Sequence, residues 1–285
     1  MSSVKRIENP FNKNDIFETL DMLQISQRGM QIQTHFGGNL ISDTEVSGKY
    51  EIFNFPDFAK EVVGQVQNYF TPEKYQLRIA KGQQELRLIG EDVVVNGEQY
   101  SKMFNILNSS DKSRALQLNI GLIRFVCTNG MVIGVENEHA AMKTRHFKAT
   151  LPGKVEEFVA NLEDFDLCIN KQTQHIESLS GRFITFKGIS ERIALDEDRR
   201  IKNGTINRLK AFGNKLINSQ SDRINILGAE QIALLKNPHL FLNSEFNNVD
   251  VEMSAYQALN CWTEVYRSYD SSVLKRETTR ILELV

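Results

Sequence analysis

Apolar positions change period several times along this chain, and each change predicts an element. Between Asn14 and Met30, the residues Ile16, Phe17, Leu20, Leu23 and Ile25 recur at near-helical spacing, which predicts a helix. Gly37-Gly38-Asn39 breaks that pattern. Tyr50-Glu51-Ile52-Phe53-Asn54-Phe55 then has the aromatic and β-branched content of a strand ended by Pro56. Asp57 reads as the N-cap of a following helix, with Phe58, Val62, Val63 and Val66 as its apolar stripe and Thr71-Pro72 as its stop.

A period of two takes over next. Tyr75–Ala80 and Glu85–Ile89 alternate around Lys81-Gly82-Gln83-Gln84, and Val93-Val94-Val95 leads into Asn96-Gly97, the strongest short hairpin signal. With the runs Met103–Leu107 and Leu116–Val126, four or more antiparallel strands are expected between residues 75 and 135. Arg78, Arg87, Arg114 and Arg124 alternate with apolar neighbours, so one sheet face is expected to be solvated while the other packs on helices.

After Pro152-Gly153, Val155, Phe158, Val159, Leu162, Phe165 and Ile169 trace one face of a long helix reaching Ser178. An Arg- and Lys-rich helical block runs from Ile189 to Ile217, interrupted at Asn203-Gly204. The tail from Met253 to Tyr269 sets Ala255, Leu259, Trp262, Val265, Tyr266 and Tyr269 at helical spacing. The expected fold is α+β: an antiparallel β-meander packed on a long helix, with a helical C-terminal region. Residues 1–180 form the core domain, and 181–285 form a basic helical block and C-terminal helix packed on that core or continuous with it.

Composition narrows the class. Hydrophobic residues at 41% and charged residues at 25% fit a globular chain with a sizeable core. No apolar run approaches the ~18–20 residues that cross a bilayer, and Met1-Ser2-Ser3-Val4-Lys5-Arg6 lacks the apolar stretch of a signal peptide. No membrane association and a cytoplasmic location are therefore expected. Cys127, Cys168 and Cys261 are odd in number and widely spaced, which suits reduced thiols in a core better than a disulfide framework or a metal pair.

The net charge of −2 hides an alternation. Lys and Arg outnumber Asp and Glu by ten to seven over residues 76–148 and by ten to five over 181–223, while the stretches around them are acidic. Two basic segments folded onto one face make an electrostatic footprint for a phosphate backbone.

Local catalytic templates are missing. The chain has no G-x-x-x-x-G-K-[ST] loop, no G-x-G-x-x-G after a strand and no G-x-S-x-G elbow, and its five histidines never fall at H-x-x-x-H or H-x-x-E-H spacing. No cofactor and no metal are expected. Asp196-Glu197-Asp198, followed by Arg199-Arg200, reads as a self-neutralised surface. Cys127 pairs in principle with His146 as nucleophile and base, but it ends the apolar run Ile123–Cys127, where burial raises a thiol pKa. Arg124 in the same run must face solvent or be paired inside, and Thr128-Asn129-Gly130 forms a turn whose amides suit an anion.

The stretch from Leu107 through Asn108-Ser109-Ser110-Asp111-Lys112-Ser113-Arg114 to Leu116, followed by Arg124-Phe125-Val126-Cys127-Thr128-Asn129-Gly130-Met131, resembles the signature of domain of unknown function 932, the phage/plasmid-like proteins. That family shows an N-S-H-D-G-S element and then R-V-V-C-x-N; Ser110 and Lys112 stand here where the family usually has His and Gly. Arg145-His146-Phe147 is similar to the family's basic-histidine element, and Ala258–Val265, with Asn260 and Glu264, is similar to its A-L-N-A-V-T-E-Y helix. The resemblance spans about residues 41–270 and brings no established activity. It implies a setting in phage DNA metabolism or recombination, and the element order is also similar to that of Rad-type single-strand annealing proteins.

The leading expectation is an ATP-independent protein that binds and anneals single-stranded DNA as an oligomeric ring or filament. Arg78, Lys81, Arg87, Lys112, Arg114 and Arg124 on or beside the sheet, with Arg199, Arg200, Lys202, Arg208 and Lys210, would neutralise phosphates. Two other classes compete with it. One is an enzyme acting on nucleic acid or nucleotide, with Arg124, Asn129, His146 and Glu264 around a pocket. The other is an accessory protein that binds a host protein through Trp262, Tyr266 and Tyr269, against which stands the packing of those rings in the core.

Overall fold

Asn12 starts the first helix, because its side-chain oxygen accepts the amides of Asn14 and Asp15 at 2.9 and 3.4 Å. In the computed structural model, which describes residues 5–46, 53–80, 82–110, 115–124, 131–133, 141–144, 156, 160–195, 205–219 and 227–266, strand β1 (Lys5–Pro10) leads into this helix, α1 (Lys13–Asp21). The helix predicted over 14–30 ends early. Strands β2 (Leu23–Arg28), β3 (Gln31–Phe36) and β4 (Asn39–Glu45) follow as an antiparallel meander. Leu23 and Ile25 continue the helical spacing of Ile16 and Leu20, but they fit a strand equally well. Pairing with Phe36 and Thr34 of β3 selects the strand. Gly37 and Gly38, at φ +54 and +79, close the β3–β4 turn in the left-handed region that glycine tolerates.

The strand predicted over 50–55 is also corrected where it is described. Phe55 and Pro56 open helix α2 (Phe55–Val66) rather than end a strand, since proline is at ease in a helix's first turn, where its missing N–H costs nothing. Asn54 is the N-cap and Asp57 lies inside the first turn, hydrogen-bonded to the Asn54 side chain.

The main sheet is antiparallel and follows the order β1, β5 (Pro72–Ala80), β6 (Gln83–Val95), β7 (Glu98–Ser109), β8 (Leu116–Arg124) and β10 (Ala141–Thr144), with β9 (Met131–Ile133) paired to β8. The expected meander is therefore present. Asn96 and Gly97, at φ +53 and +77, form the tight β6–β7 turn that their sequence signals.

The chain divides into two compact units: residues 1–93, 99–123 and 134–172, and residues 94–98, 124–133 and 173–285. In the first, opposed residues share a sheet face, so Tyr75 and Leu88, Leu77 and Leu86, Phe104 and Ile120, and Ile106 and Leu118 build an apolar surface in which all eight are buried. Thr19 of α1 and Asn9 of β1 both reach the buried Tyr75 hydroxyl at 3.1 Å. Helix α3 (Phe165–Leu179), which follows a 3-10 turn at Asn161–Asp164, meets the sheet through its first half. Gln172 Nε2 donates to Ile120 O at 3.2 Å, and the Phe165 ring lies 4.9 Å from that of Phe70. This is the described part of the long helix expected over 155–178.

The second unit contains the end of α3, the antiparallel pair β11 (Phe183–Thr185) and β12 (Glu252–Ser254), and helices α4 (Phe186–Ala194), α5 (Thr205–Ser219), α6 (Ala229–Lys236) and α7 (Ala255–Val265). Thr185 and Ser254 cap α4 and α7 through their hydroxyls. The rings of Phe186, Phe212, Trp262 and Tyr266 touch in succession at centroid separations of 5.9, 5.5 and 5.4 Å. Gly213 allows α5 to lie against α6, since a Cβ there would sit 2.1 Å from the Leu235 carbonyl oxygen. No helix among the described residues is long and apolar enough to cross a membrane.

Candidate functional site

Polar side chains collect on the sheet face opposite the apolar one. Arg6, Arg78 and Glu85 stand in one row across β1, β5 and β6, and Asn105 faces Asn119 across β7 and β8. Glu85 is 4% exposed, and a carboxylate removed from water must be compensated nearby. Arg87 Nε donates to its Oε1 at 2.7 Å, Asn105 Nδ2 reaches the same oxygen at 3.4 Å, and Arg78 Nη1 lies 3.9 Å from Oε2. Glu85 Oε2, Asn105 Oδ1 and Arg78 Nε are buried and make no hydrogen bond.

This corrects the expectation that Arg87 lines a solvated face, while Arg78 keeps 28% of its side chain exposed. Every residue from Gln84 to Gly90 is buried, so both faces of β6 are covered there, and the charge of Arg87 is matched by Glu85 instead of awaiting a phosphate. The turn length decides this. A four-residue turn over Lys81–Gln84 would set Arg78 opposite Arg87. The observed register pairs Ala80 with Gln83 around a two-residue turn, with Gly82 at φ +77, and sets Arg78 opposite Glu85.

Asn108 and Ser109 of the family-like element are 1% and 0% exposed and lie at the end of β7. Asn108 Nδ2 donates to Gln84 Oε1 at 2.8 Å, and Gln84 Nε2 donates to Ser110 Oγ at 2.9 Å and Gly82 O at 2.8 Å. The Ser110 amide adds a bond to Gly82 O at 2.7 Å. The element therefore ties the end of β7 to the β5–β6 turn.

Helix α5 gathers cations of a different kind. It carries Arg208, Lys210 and Lys215 and no Asp or Glu, and its exposed positions Asn207, Lys210, Asn214 and Asn218 recur at steps of three and four on one side. Arg208 is half-buried, its guanidinium 5.8 Å from the Tyr266 ring centroid, a cation–π arrangement. Lys215 donates to Glu264 of α7 at 2.5 Å, so Glu264 serves an ion pair between helices. Asn260, also on α7, is half-buried, with an Oδ1 that makes no hydrogen bond. Trp262 and Tyr266 are 0% and 1% exposed and belong to the core, as the packing reading of these rings expected, which takes them out of the competing docking patch.

Lys81, Asp111, Lys112, Arg114, Cys127, Asn129, His146, the acidic triplet 196–198, Arg199, Arg200, Lys202 and Tyr269 lie outside the described residues, as does the side chain of Arg124 at the end of β8. Glu85, Gln84, Asn105 and Asn119, which sequence reasoning passed over, are the residues the fold brings together. A strand carrying both an acid and a base two positions apart, Glu85 and Arg87, was the signal available for them.

A family model described as Domain of unknown function (DUF932) matches residues 73–268, from β5 to just beyond α7. No curated protein and no solved structure matches the chain.

Proposed function

The chain belongs to the DUF932 family, whose description assigns no activity, and we propose that it binds the backbone of single-stranded DNA through α5, without a nucleotide cofactor, in support of strand annealing. The observation that carries this reading is the carboxylate-free outer side of α5. Asn207, Lys210, Asn214 and Asn218 extend over about 16 Å of helix at 1.5 Å per residue. A lysine supplies charge for a phosphate, and asparagine amides both donate and accept, so they serve phosphate oxygens and base edges alike. The basic excess of ten to five over residues 181–223 supports the same reading. Arg87 has no part in it, because it is buried and its charge is matched by Glu85.

Fluorescence anisotropy with a labelled strand of about 30 nucleotides and with its duplex, at roughly 50 and 200 mM salt, tests the reading. The expected result is preference for the single strand and an affinity that falls by about 0.7 log units per log unit of salt for each phosphate contacted. Binding that ignores salt, or no binding to either DNA, overturns it.

A further inference from the structure

Among the described residues, two sheets end on edge strands that are built differently. β1, at the edge of the main sheet, carries Lys5, Arg6 and Pro10, the charges and proline with which proteins keep an edge from pairing. The edge strands of the three-stranded meander β2–β3–β4 are charged as well, with Arg28 on β2 and Asp43 and Glu45 on β4, but with opposite signs on the two edges. β2 and β4 each pair with β3 alone and contain neither lysine nor proline. Among the described residues, neither strand makes a backbone bond outside the meander. Met22, Met30 and Leu40, at 46%, 52% and 52% exposure, sit at its rim.

The two edges are also complementary in charge. β2 ends on Arg28 and has no acid, whereas β4 carries Asp43 and Glu45 and has no base. Arg28, Gln31 and Glu45 occupy one row across the three strands, and Ser26, Gln33 and Asp43 occupy the next. β2 and β4 run parallel to one another, since each is antiparallel to β3. A second meander placed beside β4 by translation therefore continues both rows, with its Arg28 next to Glu45 and its Ser26 next to Asp43. The register shift at Thr34/His35 leaves Ile41 of β4 without a partner, so the regular, pairable part of β4 is Ser42–Glu45.

We infer that copies of this chain associate head to tail, the β4 edge of one against the β2 edge of the next, extending the three-stranded sheet from copy to copy. An interface of two different edges closes into a ring or runs on as a filament. Residues 23–45 precede the stretch matched by the family model, so this surface lies outside the part of the chain that the match covers. The inference goes beyond the DNA-binding reading and does not depend on it, because protein without DNA is what is measured.

Sedimentation velocity over a roughly hundred-fold range of concentration reads the assembly directly. The wild type is expected to form species larger than a monomer. Glu45→Arg and Arg28→Glu, both at exposed positions, should each raise the concentration of half-assembly by about tenfold. The double variant Arg28→Glu/Glu45→Arg, and an equimolar mixture of the two single variants, should recover assembly, because each restores an acid beside a base. Circular dichroism confirms that the variants are folded. A wild type that stays monomeric throughout, assemblies indifferent to both reversals, or a double variant that fails to recover would each overturn the inference.

Discussion

Arg87 and Lys210 carry the same charge in the two basic stretches of the sequence, yet they meet opposite surroundings. Arg87 lies 8% exposed on a strand covered on both faces and bonds to Glu85, whereas Lys210 is exposed on a helix side that has no carboxylate. A basic segment is thus not by itself a binding surface. What decides is whether the fold places an acid beside the base: Glu85 stands beside Arg87, whereas among the described residues α5 itself offers Lys210 none.

The largest test of this contrast is Glu85→Ala. It leaves the Arg87 guanidinium buried without its acid and should cost about 3–5 kcal/mol by urea denaturation. The paired replacement Glu85→Leu/Arg87→Met should recover most of that loss, since apolar side chains need no compensation there. A loss below about 1 kcal/mol for Glu85→Ala would show that the sheet arginines do not depend on the buried acid, and would remove the contrast.

Gly213→Ala follows in size. The new Cβ meets the Leu235 backbone, so α5 and α6 must separate, at a cost of about 1–3 kcal/mol in the same assay. Because the exposed side of α5 is untouched, single-strand affinity of the folded fraction should hold. Lys210→Glu is the converse. Thermal stability should change by less than about 0.5 kcal/mol, while the salt slope of single-strand binding should fall by about 0.7, the share of one phosphate contact. An unchanged slope would take α5 out of the interface.

The smallest expected effect concerns pH. Burial, then the neighbouring Arg182, lowers the His175 pKa below its ordinary value of 6.5. The unfolded chain therefore binds this proton at a higher pH than the folded one. The resulting stability is complete above about 6.5 and is lost as pH falls from there through the lowered folded value. His175→Gln should flatten the urea midpoint across that window, and a wild-type midpoint already flat between pH 7 and the acid side would contradict the shift.

Much of the fold was legible. Asn96-Gly97 signals its turn because asparagine and glycine tolerate the positive φ that the tight hairpin demands, and the strands on either side alternate as a sheet requires. Period likewise exposes α7 and the body of α2, whose cap was expected at Asp57 and lies at Asn54. The meander β2–β4 was not legible, because Leu23 and Ile25 satisfy both periods and only the partner strand chooses between them. Of the candidate site, Lys210 and Arg208 fall on the helix expected for them. Arg78 and Arg87 are recast by a turn shorter than the one expected, which sets an acid opposite Arg78.

The sequence by itself determined the α+β class, the hairpin at Asn96-Gly97, the family likeness and the presence of two basic stretches, because each is written in neighbouring residues. Only the tertiary structure decided which of those charges remain available. Burial and cross-strand register are properties of residues far apart in the chain, and the energy of a charge depends on whether water or a carboxylate surrounds it.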